Sequence, residues 1–229
     1  MNYLICSTKP WNRNLAKDLN EYFRDKHKFH FVNHENILLF DLVHNKIAAT
    51  AKIIFFVHWP WKIPKETYEK YTCIGFHTGH LPFERGGSPV VNLILQGRKS
   101  SFINAIEIVE ELDAGGVYQR RPVFLHGSLE EIYIRMNRII FDMIVDLIER
   151  KWKPKKQEGE VHYFKRRKPE ENDIANVKTL EEVYDYIRMV DAETYEPAYA
   201  EVGRFKLEFS RAIMRTDGIY ADVKISLKE

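Results

Sequence analysis

The sequence predicts an α/β fold: a mainly parallel sheet wound by helices, followed by a small α+β extension. Three observations lead there. A short apolar strand at Tyr3 to Cys6 is followed by an amphipathic helix, and that pairing recurs. Ile53-Ile54-Phe55-Phe56-Val57 is a continuous apolar run of the kind buried on both faces of a parallel sheet. Beyond Trp152 a charged, breaker-rich stretch separates this pattern from a helix and three strands of different character.

The elements follow in order. After the Tyr3 to Cys6 strand, Asn12 caps a helix whose apolar positions are Leu15, Leu19, Tyr22 and Phe23. Phe29 to Val32 reads as a strand, Ile37 to Val43 as a helix, and Cys73 to Phe76 as a further strand beyond Ile53 to Val57. Ser88-Pro89 starts a helix through Leu95. Phe102 to Val109 and Val117 to Phe124 read as a hairpin across Gly115-Gly116. Ser128 and Glu131 form a capping box for a long helix through Ile132, Met136, Ile140, Met143 and Leu147, ending near Trp152. Thr179 and Glu182 cap a helix through Met189, and Tyr199 to Val202, Arg204 to Ser210 and Ile219 to Leu227 read as strands. The expected division is residues 1–152 for the main domain and 153–229 for linker and extension.

With 229 residues, the chain can bury a full hydrophobic core. Apolar residues make up 45% and charged residues 30%, which excludes disordered and collagen-like classes. Thirty-five basic against thirty-three acidic side chains leave a net charge of +2, too balanced for a surface wrapped in polyanion. Lys153 to Lys156 and Arg166-Arg167-Lys168 read as solvated faces, because Glu158, Glu160, Glu170 and Glu171 offset them; a nucleic-acid partner is not expected. No apolar run reaches the roughly 20 residues of a membrane helix. The two cysteines, Cys6 and Cys73, and the absence of a leader-like start suggest a reducing cytoplasm.

Eight of the eleven glycines lie between Gly75 and Gly127, so the places where backbone turns sharply or approaches a ligand concentrate there. The turn after the first strand has no glycine, which disfavours a dinucleotide fingerprint. Ligands of open parallel sheets bind beyond the carboxyl ends of the strands. Those ends carry Lys9-Pro10-Trp11-Asn12, His58-Trp59-Pro60-Trp61 and His77-Thr78-Gly79-His80. Cys73, His77 and His80 are of zinc-ligand type, but a fourth ligand at metal-site spacing is not evident, and no metal is expected.

Ile63-Pro64, Phe76-His77-Thr78-Gly79-His80-Leu81-Pro82, Arg85-Gly86-Gly87-Ser88-Pro89 and Leu112-Asp113-Ala114-Gly115-Gly116, in that order, resemble the signatures of the formyltransferases that use N10-formyltetrahydrofolate. The resemblance covers residues 1 to about 150 as a Rossmann-like catalytic domain, and Phe164 to Arg167 with Tyr186 to Arg188 resemble the connector that follows it. Lys9 to Asn12, His58 to Trp61 and Arg188 to Glu193 resemble the sugar N-formyltransferase branch, of the pseudaminic-acid-pathway type. That branch implies formylation of a nucleotide-linked amino-deoxy sugar, such as UDP-4-amino-4,6-dideoxy-N-acetyl-altrosamine, in bacterial surface-glycan biosynthesis. The tail reads as too short for the barrel of the methionyl-tRNA enzyme.

Formyl transfer requires an amine to lose a proton as it attacks a carbonyl carbon. An imidazole, which ordinarily titrates near about 6.5, can take that proton when a carboxylate supports its charged form. His77 and Asp113 fit these roles, Asp113 being otherwise a turn residue before Gly115-Gly116. The family resemblance also implies an asparagine two positions before the histidine, where this chain has Gly75. A placed oxyanion donor is worth about 3 to 4 kcal/mol. Asn92, a backbone N–H near Gly79, or protonated His77 are the candidates to replace it.

A flat pterin needs apolar walls. Trp59, Trp61 and Ile63 are expected to supply them, with Leu81, Val109 and Glu110 completing the folate pocket by resemblance. Lys9, Trp11, Asn12, Arg85, Gly86 and Gly87 are expected to hold the sugar nucleotide. Two alternatives stand beside this reading: formylation of another amine such as methionyl-tRNA, and a folate-binding module without activity. Exposed aromatics in the tail suggest a homodimer contact.

Overall fold

The structure is a computed structural model and describes residues 1–33, 50–150 and 152–228. The helix expected over 37–43 lies outside the described residues.

A six-stranded sheet is built from β1 (Asn2–Cys6), β2 (Lys28–Val32), β3 (Ala51–Phe56), β4 (Thr72–Thr78), β6 (Ser100–Glu107) and β7 (Val117–Phe124) in the order β2-β1-β3-β4-β6-β7. The pairs β1–β2, β1–β3 and β3–β4 are parallel, as the apolar runs predict. Ile54, Phe55, Phe56 and Val57 are almost entirely removed from water, each worth about 1.5–3 kcal/mol of burial. β6 runs antiparallel to β4, with His77 opposite Asn104 and Thr78 opposite Ile103. The end of β6 therefore lies beside the start of β4.

Helices α1 (Leu15–Phe23) and α2 (Lys65–Lys70) belong to the same part of the chain, as does most of α4 (Leu129–Glu149). In α1, Leu15, Ala16, Leu19 and Phe23 form the buried stripe that the spacing predicts. α2 is short, charged and without a side-chain cap, so its periodicity gave no signal. The capping box at Ser128 and Glu131 is formed by both reciprocal hydrogen bonds. Met136, Ile140, Met143 and Ile144 of α4 are buried.

Two compact units can be distinguished, and they interleave along the chain. The first comprises Met1–Arg85, Phe102–Val123 and Ile134–Tyr163; the second comprises Gly86–Ser101, Phe124–Tyr133 and Phe164–Glu229. The stretch after α4 that reads as a linker is tied into the first unit, where Val117 and Lys155 exchange backbone hydrogen bonds. A two-residue ribbon pairs β5 (Arg85–Gly86) with β8 (Tyr163–Phe164).

In the second unit, α3 (Pro89–Leu95) and α5 (Leu180–Arg188) accompany an antiparallel sheet ordered β11-β10-β9. Its strands are β9 (Ala198–Val202), β10 (Phe205–Arg215) and β11 (Gly218–Leu227). The Thr179 and Glu182 capping box is present. β10 extends past Ser210 through a register shift, with Arg211 in a left-handed conformation. That bulge broke the alternation on which the shorter strand expectation rested.

Candidate active site

β4 ends on His77 and Thr78, both buried. His77 Nδ1 lies 3.3 Å from a carboxylate oxygen of Asp113, and its Nε2 donates to the Glu84 carbonyl at 2.6 Å. A carbonyl can only accept, so the hydrogen stays on Nε2 and Nδ1 is the nitrogen that faces Asp113. Two features of the chain bring Glu84 there. The segment 80–84 closes as a turn through hydrogen bonds from the Phe83 and Glu84 N–H groups to the His80 carbonyl. Gly79 has no side chain, and a Cβ there would come within 2.8 Å of the Glu84 carbonyl oxygen.

Asp113 reaches His77 from the loop after β6. Because β6 is antiparallel to β4, the ends of the two strands do not meet; the loop after β6 folds back along β4 instead. Asp113 takes a left-handed conformation, φ 55, which aspartate tolerates better than most residues. Gln157 Nε2 donates to the carbonyls of Asp113 and Gly115, and Gln157 Oε1 accepts from Arg85 Nε and Nη2. Arg85 Nη1 also pairs with Glu111 at 2.8 Å, and Tyr163 donates to the same carboxylate. Asp113 is thus both a turn residue and the partner of His77.

Position 75 is filled from the side. A Cβ on Gly75 would lie 2.7 Å from Ile108 Cδ1, so the space an asparagine side chain would take belongs to Ile108. Of the expected replacements, Asn92 is committed elsewhere. Its Nδ2 donates to the carbonyls of Gly87, Ser88 and Lys165, a structural brace in the second unit. The Gly79 N–H donates to Phe102, and the His80 N–H to the Glu84 carboxylate.

The Trp11 and His58 loops meet at the ends of β1 and β3. Trp11 Nε1 donates to His58 Nδ1 at 3.4 Å, and Asn12 Nδ2 approaches the same nitrogen at 3.1 Å while also donating to Ser7. Lys9 lies over the Trp11 ring. Burial, with a smaller contribution from the Lys9 charge, lowers the His58 pKa to about 3, so this imidazole is neutral. Asn12 is fully buried and serves loop packing.

Arg85, buried and forked onto Gln157 and Glu111, is likewise structural. Gly86 and Gly87 pack so closely on Phe164 and Arg166 that a Cβ would fall 2.5 and 2.7 Å from them. Of the residues expected to hold a sugar nucleotide, Asn12, Arg85, Gly86 and Gly87 make these contacts within the fold, and Lys9 and Trp11 belong to the His58 loop cluster.

Trp59 and Trp61 meet edge to face, their centroids 4.9 Å apart, and Trp59 and Ile63 pack on the Leu4–Ile54–Phe56 cluster together with Ile108. The Trp59 indole N–H is buried without a hydrogen-bond partner among the described residues. An apolar wall with one unsatisfied donor fits a flat heteroaromatic ligand that carries acceptors. Leu81 is buried, while Val109 and Glu110 stand exposed on the loop after β6. A cavity of about 300 Å³ opens at the start of β4, lined among others by Tyr68, Tyr71, Glu107 and Ile108, at the opposite end of that strand from His77. No cluster of metal-holding side chains occurs among the described residues. Cys6 and Cys73 are free and buried, and no described helix is long and apolar enough to cross a membrane.

A solved structure named methionyl-tRNA formyltransferase, from Clostridium thermocellum, matches with 42% identity over all of both chains and a TM-score of 0.94. The chain belongs to the formyltransferase family. Within that family, residues 169–226 match the model for the methionyl-tRNA formyltransferase C-terminal domain. A methionyl-tRNA formyltransferase from Bacillus cytotoxicus is 36% identical over 135 residues, 55% of this chain and 43% of that one. The chain spans about half the length of the curated formyltransferases it matches.

A sugar N-formyltransferase from a Shewanella species covers all of this chain and 98% of its own, but at 19% identity and a TM-score of 0.64 it shares the fold alone. Three expectations fall with these findings. The tail that reads as too short for the tRNA-enzyme domain matches that domain's model, over α5 and β9 to β11. The sugar branch gives way to relatives at far higher identity. The nucleotide-linked sugar as substrate and partner, and the exclusion of nucleic acid, are overturned with it.

Proposed function

We propose that the protein transfers a formyl group from N10-formyltetrahydrofolate to the amine of methionyl-tRNA. The observation that carries this reading is a His77–Asp113 pair in a chain whose residues 169–226 match the methionyl-tRNA formyltransferase C-terminal domain. Trp59, Trp61 and Ile63, with Leu81, Val109 and Glu110, would hold the folate. When bound, the folate supplies an electrophilic formyl carbon.

His77 carries the proton chemistry. With hydrogen fixed on Nε2 by the Glu84 carbonyl, Nδ1 presents its lone pair and accepts the proton that the attacking amine sheds. The Asp113 carboxylate, 3.3 Å away, stabilises the imidazolium that results. Position 75, a glycine, offers no side-chain donor to the charge developing on the formyl oxygen. Lys153, Lys155 and Lys156 in the first unit, and separately Lys165 and Lys168 in the second, are exposed and carry the charge that a polyphosphate partner pairs with.

The test is formylation of charged initiator tRNA by the full chain with N10-formyltetrahydrofolate, at increasing potassium chloride. Formyl-methionyl-tRNA should form, with KM rising steeply with salt. No product at any salt concentration, with folate binding intact, would favour a binding module without activity.

A further inference from the structure

We propose that Asn104 and Arg120 are positioning residues that fix which nitrogen of His77 carries hydrogen; the inference rests on the role given to His77 above. Asn104 is completely buried and sits opposite His77 in the β4–β6 register. Its Nδ2 donates to the His77 carbonyl at 3.2 Å and the Gly79 carbonyl at 2.7 Å. Its Oδ1 accepts from Arg120 Nε at 2.7 Å, and Arg120 Nη2 donates to the Leu81 carbonyl at 2.9 Å. One amide and one guanidinium thus hold the carbonyls of residues 77, 79 and 81 in succession.

Those carbonyls lie where the sheet stops supporting β4. The Gly79 N–H to Phe102 is a rung at the strand's end, and beyond it the chain enters the turn that lays the Glu84 carbonyl on His77 Nε2. Arg120 is itself seated, with its guanidinium 5.4 Å from the centroid of Phe102, whose edge also meets His80. The clamp therefore spans the strand end, the turn and the ring beneath them.

A buried asparagine bonded to backbone often does no more than secure a strand end. Here the secured backbone sets chemistry, because the hydrogen bond from Nε2 depends on where the turn places the Glu84 carbonyl. If the turn relaxes, the neutral imidazole can instead carry its hydrogen on Nδ1, directed at Asp113. That tautomer has no lone pair to offer at the position where the amine's proton must be taken. Loss of the clamp should then lower turnover by depleting the competent tautomer, with little effect on donor binding.

The test uses the full chain labelled with 15N-histidine, with His77 signals assigned through their loss in His77→Gln. The wild-type protein should show His77 with hydrogen on Nε2 alone. Arg120→Gln, an exposed position that keeps the fold, should show both tautomers, and kcat for formylation should fall about tenfold or more while donor KM stays within about twofold. Asn104→Asp, which cannot donate to either carbonyl, should do the same. Arg120→Lys should recover only part of kcat, because an ammonium cannot span Asn104 and Leu81 as a guanidinium does. A single Nε2–H tautomer with wild-type kcat in Arg120→Gln overturns the proposal. The NMR comparison needs no substrate, so a wild-type protein that formylates nothing would sink the functional reading while the tautomer shift still decides this one.

Discussion

Ile108 and Gly75 divide one space between them: Ile108 Cδ1 stands 2.7 Å from where a Cβ on residue 75 would be. Installing the asparagine that the family resemblance implies at this position therefore meets a side chain already there. Gly75→Asn alone should lower stability by about 1–3 kcal/mol through overpacking. Adding Ile108→Ala should return most of that loss, because the two substitutions relieve one contact and are not additive. Thermal and urea unfolding of the four proteins in the cycle measures the coupling; additive losses would mean that Ile108 is not what excludes the side chain.

The same pair shows what the sequence makes legible. Apolar runs such as Ile53 to Val57 announce themselves because burial on both faces leaves no room for polar residues, and the capping boxes at Ser128 and Thr179 need only local spacing. His77 and Asp113 stand out because few residue types can do proton chemistry. Their meeting is another matter: it depends on β6 running antiparallel and on its loop doubling back, which no local pattern encodes. Glu84 was invisible because its backbone carbonyl makes the contact with His77. Gln157 was hidden because the charged stretch around it reads as a linker, while its amide holds the Asp113 loop. The tail reads as too short because its length carries no sign of the pattern in its helix and three strands, which is what the domain model matches.

Asp113→Asn keeps the shape of the side chain and removes its charge. The imidazolium at His77 would lose its counter-charge, and kcat should fall by about 10²- to 10⁴-fold. KM for methionyl-tRNA should change little, because the loss falls on the transition state and not on ground-state binding. Steady-state kinetics with the variant checks both quantities, and a kcat near wild type would remove Asp113 from the proton chemistry.

His58 links the loop packing to acid stability. Its folded pKa of about 3 lies below the ordinary value because burial, and secondarily Lys9, disfavours the charged form. The unfolded chain therefore binds the extra proton first. The stabilisation is intact above about pH 6.5 and is lost as pH falls towards about 3, amounting to roughly 2 kcal/mol between pH 7 and pH 5. His58→Asn retains an acceptor for Trp11 and tolerates the left-handed backbone at this residue, φ 49. The variant should unfold with a shallower acid dependence over that window. Equal slopes of unfolding free energy against pH in the two proteins would count against a neutral, buried His58.

Gln157 should matter to turnover although it touches neither reacting group. Its Nε2 holds the carbonyls of Asp113 and Gly115, and its Oε1 is held by the Arg85 guanidinium, which also grips Glu111. Gln157→Ala removes the two hydrogen bonds that hold the carbonyls of Asp113 and Gly115, and the Asp113 carboxylate is then held less closely against Nδ1 of His77. Turnover should drop about tenfold or more from misplacement alone. Stability should fall by about 1–3 kcal/mol, because buried Arg85 loses an acceptor. Arg85→Lys should mimic the kinetic defect, since one ammonium cannot replace the fork between Gln157 and Glu111. Because the distal carboxylate at residue 111 is largely exposed, Glu111→Gln should be the mildest of the three. Kinetics and thermal unfolding of the three variants read this ordering, and wild-type kcat in both Gln157→Ala and Arg85→Lys would show that the Asp113 loop holds its geometry without them.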